Sequence, residues 1–298
     1  MSDQLRSHSK RYPFPKIDWT SDDWAGDDKE KVLRWYMEAH GTGDTSQARF
    51  APFMLEYNPL GFRLYRRHVQ YHGGGAPGAL LFIHYYAAVG LGDNCLYQMV
   101  SARQQGLTKG QVLEALAFAW LTAGPTMNAA AEKTSSFLFG WEDDGKPSTY
   151  QWPDGWAPDP DAMRSGMDLS TDEMSADDLQ ALRGWHERVE GEVPRYVDAW
   201  ARLQPKAYKT NRIRYERGFG MTLPVQIFPL FTLHLATFRV WPRAVRQALL
   251  QARTFGVRRP EALGAMESAF TCGGEPMMAG VLTDEVLDAL EALPDQSP

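Results

Sequence analysis

Two stretches decide how this chain reads, 102-ARQQGLTKGQVLEALAFAWLTAGPTMNAA-130 and 252-ARTFGVRRPEALGAMESAFTCGGEPMMAG-280. Set one above the other at an offset of 150, without a gap, they agree at nine of 29 positions, among them Ala102/Ala252, Gly106/Gly256, Leu113/Leu263 and Gly124/Gly274. Chance agreement at roughly 6% per position gives about two. The same offset carries 80-LLFIH-84 onto 230-LFTLH-234, so that His84 falls on His234. Self-similarity of this kind points to a duplicated unit.

The unit reads as helix. In 108-TKGQVLEALAFAWLTAG-124 the apolar residues Val112, Leu113, Leu116, Ala119, Trp120 and Ala123 recur with the helical period. Thr108 is a natural N-cap, Gly124-Pro125 a stop, and Pro260 sits early enough in the second copy to be tolerated. Residues 28-DKEKVLRWYMEAHG-41 and 177-DDLQALRGWHERVEG-191 are acid-led amphipathic helices upstream of each copy. No segment alternates as a hairpin would. The expected fold is all-α, with a first repeat at 1–148, a Pro-, Asp- and Gly-rich linker at 149–170, and a second repeat at 171–298.

Composition narrows the function classes. The chain has 298 residues, a net charge of −6 and 44% apolar residues, which is ample for a buried core. No basic stripe with interleaved aromatics addresses nucleic acid. The apolar run 79-ALLFIHYYAAVGL-91 is too short to span a bilayer, and no signal-peptide h-region opens the chain. Two cysteines, Cys95 and Cys272, make no disulfide framework. A cytoplasmic protein with reduced thiols and a small-molecule substrate is the expectation.

The repeated pattern, Ala102…Gly106-Leu107…Gln111-Val112-Leu113…Gly124 and Ala252…Gly256-Val257…Glu261-Ala262-Leu263…Gly274, resembles the carboxymuconolactone decarboxylase and alkylhydroperoxidase-D-like superfamily. The resemblance covers about 75–150 and 225–290. It implies two tandem helical repeats forming an intrachain pseudo-dimer, the second repeat degenerate. It also implies a homo-oligomer of such chains, a trimer being one outcome. For activity it implies either thiol peroxidase chemistry or acid–base chemistry on a lactone acid, the latter without metal or organic cofactor. Counted back from Gly106, the family's two cysteine positions fall on Leu91 and Asn94 and its histidine on Gln98; in the second copy Ala244 and Ala248 stand at the later two. Cys95 lies one residue out of register, and no Cys-x-x-Cys occurs in the chain. Dithiol peroxidase chemistry needs a resolving thiol beside a low-pKa one, so the peroxidase reading through Cys95 is the alternative. A non-catalytic binding or assembly role is the other alternative.

The lead expectation is a cofactor-independent decarboxylase, lyase or isomerase acting on a small carboxylated or carbonyl-bearing molecule. His84 would be its acid or base. Asn94 and Gln98 would polarise the carbonyl, with Cys95 lining the pocket. Tyr85, Tyr86, Arg67 and His234 are candidate binding residues. In 63-RLYRRHVQYHGGG-75, Arg63, Arg66 and Arg67 offer a cationic wall for a carboxylate. His68 and His72 have metal-pair spacing but no third ligand, so no metal is expected. Glu132 and Glu275 are weaker acid candidates.

Overall fold

The computed structural model describes residues 14–40, 46–69, 77–142 and 147–295. The fold is all-α, with no strand among the described residues. The chain divides into two compact units, Met1–Gln151 and Trp152–Pro298.

The first unit holds α1 (Asp28–His40), α2 (Ser46–Tyr57), α3 (Pro59–Val69), α4 (Gly78–Val89), α5 (Gly92–Gln104), α6 (Lys109–Ala123), a 3₁₀ turn (Gly124–Met127) and α7 (Asn128–Phe139). Its centre is α4, which packs on both α5 and α6. Leu80, Leu81, Ile83, Ala87 and Ala88 are buried on it, and each large aliphatic side chain contributes about 1.5–3 kcal/mol by leaving water. Thr108 caps α6 as its sequence predicts. Its hydroxyl accepts from the Gln111 N–H, and the Gln111 side chain accepts from the Thr108 N–H in return. A second core gathers Trp19, Val32, Tyr36, Ala51 and Phe62 between the N-terminal segment and α1–α3.

The second unit holds α8 (Ala176–Glu190), α9 (Arg195–Leu203), α10 (Pro205–Gly218), α11 (Ile227–Phe238), α12 (Pro242–Thr254), α13 (Arg259–Val281) and α14 (Asp284–Glu291). Here α11 is the central, almost wholly buried helix, packed on α12 and α13. Ser175 caps α8 in a box with Asp178. The stretch 152–170, within the expected linker, has no regular structure and rests on its own unit. The Ser165 N–H and hydroxyl donate to Glu216, and Trp185 Nε1 donates to the Ala162 carbonyl at 3.2 Å. Thr149, at the start of the expected linker, instead belongs to the first unit, where its N–H and the Ser148 hydroxyl both donate to the Gly106 carbonyl.

The sequence offset extends to backbone conformation. α5 spans Gly92–Gln104 and α12 spans Pro242–Thr254, the same interval moved by 150. Gly106 and Gly256 have φ of 89° and 78°, and Gly124 and Gly274 have φ of 59° and 63°. Gly274 breaks α13 internally, where Gly124 ends α6. Gly90 (φ 78°) ends α4, and Val240 (φ 54°) stands at the matching place after α11. The hydrogen bonds correspond as well: Leu91 N–H to Tyr86 O, and Trp241 N–H to Ala236 O, both at 2.9 Å. A β-branched residue in the left-handed region costs roughly 1–2 kcal/mol. Val240 is therefore held there by the helix packing on either side. Trp35/Trp185 and Tyr65/Tyr215 are further identities at this offset, outside the aligned window.

Candidate functional site

In the first unit His84, Tyr85 and Tyr86 lie on α4, and Asn94, Cys95 and Gln98 lie on α5. His84 is fully buried on α4. Its Nε2 is 3.1 Å from Thr122 Oγ1, and its ring lies 5.5 Å from that of Phe118. Burial pushes the imidazole down to about 3, so His84 is neutral at physiological pH. Cys95 is also fully buried. Its thiol points at the Ile83 carbonyl, 3.7 Å away, and burial pushes it up to about 12. Both side chains fasten one helix to another.

Each environment has a measurable consequence. The unfolded chain takes up a proton on His84 near its ordinary 6.5, the folded chain only near 3. The stability contributed by the neutral imidazole is therefore complete above pH 6.5 and is lost as pH falls through that window. Between pH 7 and pH 5 the loss is about 2 kcal/mol. Urea unfolding at the two pH values is expected to show a difference shallower by that amount in His84→Gln. Cys95 is held as the neutral thiol at pH 8 by its burial. A thiol-specific disulfide reagent is expected to modify the exposed Cys272 promptly and Cys95 only after unfolding.

Asn94 and Gln98 lie one turn apart on α5, half-buried, with no hydrogen bond from either amide to another described residue. Tyr85 and Tyr86 are half-buried on α4, and Tyr86 stacks on Phe82 with centroids 5.4 Å apart. Arg67 is held elsewhere: it donates to the carbonyls of Trp19, Thr20 and Ser21 and pairs with Asp22 at 2.6 Å. Arg63 likewise donates to the Asp18 and Ser21 carbonyls and lies against Trp19 and Trp24. These two arginines fasten the N-terminal segment to α3. Arg66 donates to Tyr36 at 3.2 Å. His234 is buried edge-on to Phe238, with centroids 5.0 Å apart. Glu132 and Glu275 are exposed. His72 lies outside the described residues, and no group of three or more His, Cys, Asp or Glu among the described residues could hold a metal.

The second unit contains an acid–base arrangement absent from the sequence reading. On α8, Leu182, Trp185, His186, Val189 and Glu190 share the buried face. The Glu190 carboxylate is buried, 3.1 Å from His186 Nδ1, although without the alignment of a hydrogen bond. From α12, Gln251 and Gln247 donate to its two oxygens at 2.8 and 2.9 Å. From α9, Tyr196 sets its ring edge-on to His186, and its hydroxyl accepts from Gln247 Nε2 at 3.3 Å. Burial and the neighbouring Glu190 charge raise the phenol, so it keeps its proton at neutral pH.

Glu190, Tyr196 and Gln247 face a cleft of about 850 Å³. That volume is within the range of small-molecule sites. Four arginines line it, Arg195, Arg243, Arg246 and Arg253, together with Glu285 and Asp288. Arg246 pairs with Glu192 at 2.5 Å. Arg195, Arg243 and Arg253 have no ion-pair partner among the described residues. The available hint was a pair of polar residues at i, i+4 on the apolar face of an amphipathic helix. No family model, curated protein or solved structure matches this chain.

Proposed function

We propose that this chain performs cofactor-independent acid–base chemistry on a small carboxylated, carbonyl-bearing molecule, in the cleft of the second unit. The acid–base class is the one implied by the resemblance to carboxymuconolactone decarboxylase, and decarboxylation, isomerisation or a related lyase step through an enolate fits it. The observation that carries the reading is the buried Glu190 carboxylate, held by two glutamines beside His186 and facing a cleft lined with arginines, three of which have no ion-pair partner among the described residues.

The roles follow from charge and reach. Arginine binds carboxylate in a bidentate fork, so the cleft arginines anchor the substrate. Glu190 takes the proton from the carbon next to the carbonyl, and the C–H electron pair moves into an enolate. Gln247 donates to Tyr196 oxygen, which leaves the phenol proton free to hydrogen-bond the enolate oxygen. Return of the proton from Glu190 to the same or a neighbouring carbon completes exchange or isomerisation. His186 backs the Glu190 carboxylate from the same helix, its Nδ1 3.1 Å away. In the first unit, His84, Cys95, Asn94 and Gln98 then serve the fold and a secondary polar surface.

The reading includes self-association of the chain. Trp120 and Phe139, 57% and 86% exposed, line an apolar groove of about 420 Å³ formed by α6 and α7 that a second copy would cover. Among the described residues no helix is long and apolar enough to cross a membrane. The function is tested by proton exchange. With 2-oxoglutarate and oxaloacetate as probes in D₂O, deuterium is expected to enter the carbon beside the keto group faster than in buffer. Exchange at the buffer rate across a panel of keto and unsaturated acids would overturn the reading.

A further inference from the structure

The arrangement of charge in the cleft narrows the substrate class. Arg243, Arg246, Gln247, Leu250 and Arg253 form one stripe along α12. Arg243 and Arg253 stand at its two ends, ten residues and therefore about 15 Å apart along the axis. Gln247, which holds Glu190, lies between them. Arg246, the inner arginine, is neutralised by Glu192, whereas the two end arginines have no ion-pair partner among the described residues. Arg195, at the start of α9, adds a further unpaired guanidinium at the rim. Positive charge is thus left at both ends of the α12 stripe, with Gln247 and the Glu190 it holds between them, and at Arg195 on α9.

We infer that the cleft takes an elongated dicarboxylate, one carboxylate at each end of the α12 stripe, with its reactive carbon over Glu190. A monocarboxylate would leave one of the two arginines solvated and lose the alignment that the second anchor gives. Glu285 and Asp288 on α14 also line the cleft. They disfavour a third anion and accept hydrogen bonds from hydroxyl groups on the substrate. The inference rests on the proposed function for the position of the reactive carbon, but the two-ended anchoring depends only on the arginines.

Calorimetric titration of the full chain with heptanedioate and with heptanoate tests it. Heptanedioate is expected to bind roughly tenfold more tightly or better, the increment of one additional charge-assisted bidentate pair. Arg243→Gln and Arg253→Gln are each expected to remove that preference. Both are exposed positions, so folding is checked by circular dichroism and a thermal melt. Equal affinity for the two probes, or a preference that survives in both variants, would overturn the inference. Neither result would touch the Glu190 reading, which is judged by deuterium exchange; exchange unchanged in Glu190→Gln with the dicarboxylate preference intact would separate the two the other way.

Discussion

Glutamine in place of Glu190 is expected to lower deuterium exchange into a bound keto acid by about 10²–10⁴-fold, the usual contribution of a positioned general base. The substitution is nearly isosteric, so shape complementarity with His186, Gln247 and Gln251 is kept while the basic group is removed. It does alter the local hydrogen bonds: one carboxylate oxygen becomes an NH₂ group facing a glutamine that also donates. That mismatch would cost about 1–3 kcal/mol of stability if the amides failed to flip. The measurement therefore pairs the exchange rate with a melting curve. A large loss of exchange in a folded protein supports the base role. After a parallel loss of both, Glu190→Asp decides between base and structural role, since it keeps the charge and shortens the reach.

The largest stability effect is expected at Lys209. Its ammonium is fully buried, donating to the Asp178 carboxylate at 2.7 Å and to the Glu173 carbonyl at 2.6 Å. Burial alone would raise the Asp178 pKa. Lys209 and the N–H groups of Ser175 and Asp168 outweigh that and hold the carboxyl well below its ordinary range. Lys209→Met would leave Asp178 buried without its counter-charge. A broken buried pair costs about 3–5 kcal/mol, which for a unit of this size lowers the melting temperature by roughly 10 °C. Adding Asp178→Leu is expected to restore much of the loss, because replacing both partners removes the uncompensated charge. Since folding depresses the Asp178 pKa, the stability it supplies is present above its ordinary 3.8 and declines below it. A Lys209→Met protein that melts within a degree or two of the parent would contradict the role given to this pair.

Several features were open to sequence reasoning because they depend on local chemistry. The Thr108 cap and the Gly124 stop follow from neighbours within a few residues, and α6 begins and ends there. The apolar density of 79–91 announces a buried central helix, and α4 is one. The site residues depend on long-range packing. His84 carries an ionisable ring in the sequence, but whether it titrates is decided by Phe118 and Thr122, which come from another helix. Arg67 reads as part of a cationic face, yet residues 19–22, more than forty positions earlier, lie against it and occupy its donors. Glu190 and His186 show the opposite error. On α8 they interrupt the apolar face at i, i+4, but only the docking of α12 and α9 places them beside Gln247, Gln251 and Tyr196. Cys95 stands out in the sequence by its rarity, while its apolar surroundings keep it a thiol.

The central claim is that acid–base chemistry resides in the second unit's cleft rather than at the start of α5. The most direct test compares deuterium exchange into 2-oxoglutarate by the parent chain, by Asn94→Ala/Gln98→Ala and by Glu190→Gln, each shown to be folded. The double variant is expected to exchange within about twofold of the parent, and Glu190→Gln to fall at least about a hundredfold, the low end of a general base's contribution. Exchange retained in Glu190→Gln and lost in the α5 double variant would contradict the account and return the site to the first unit.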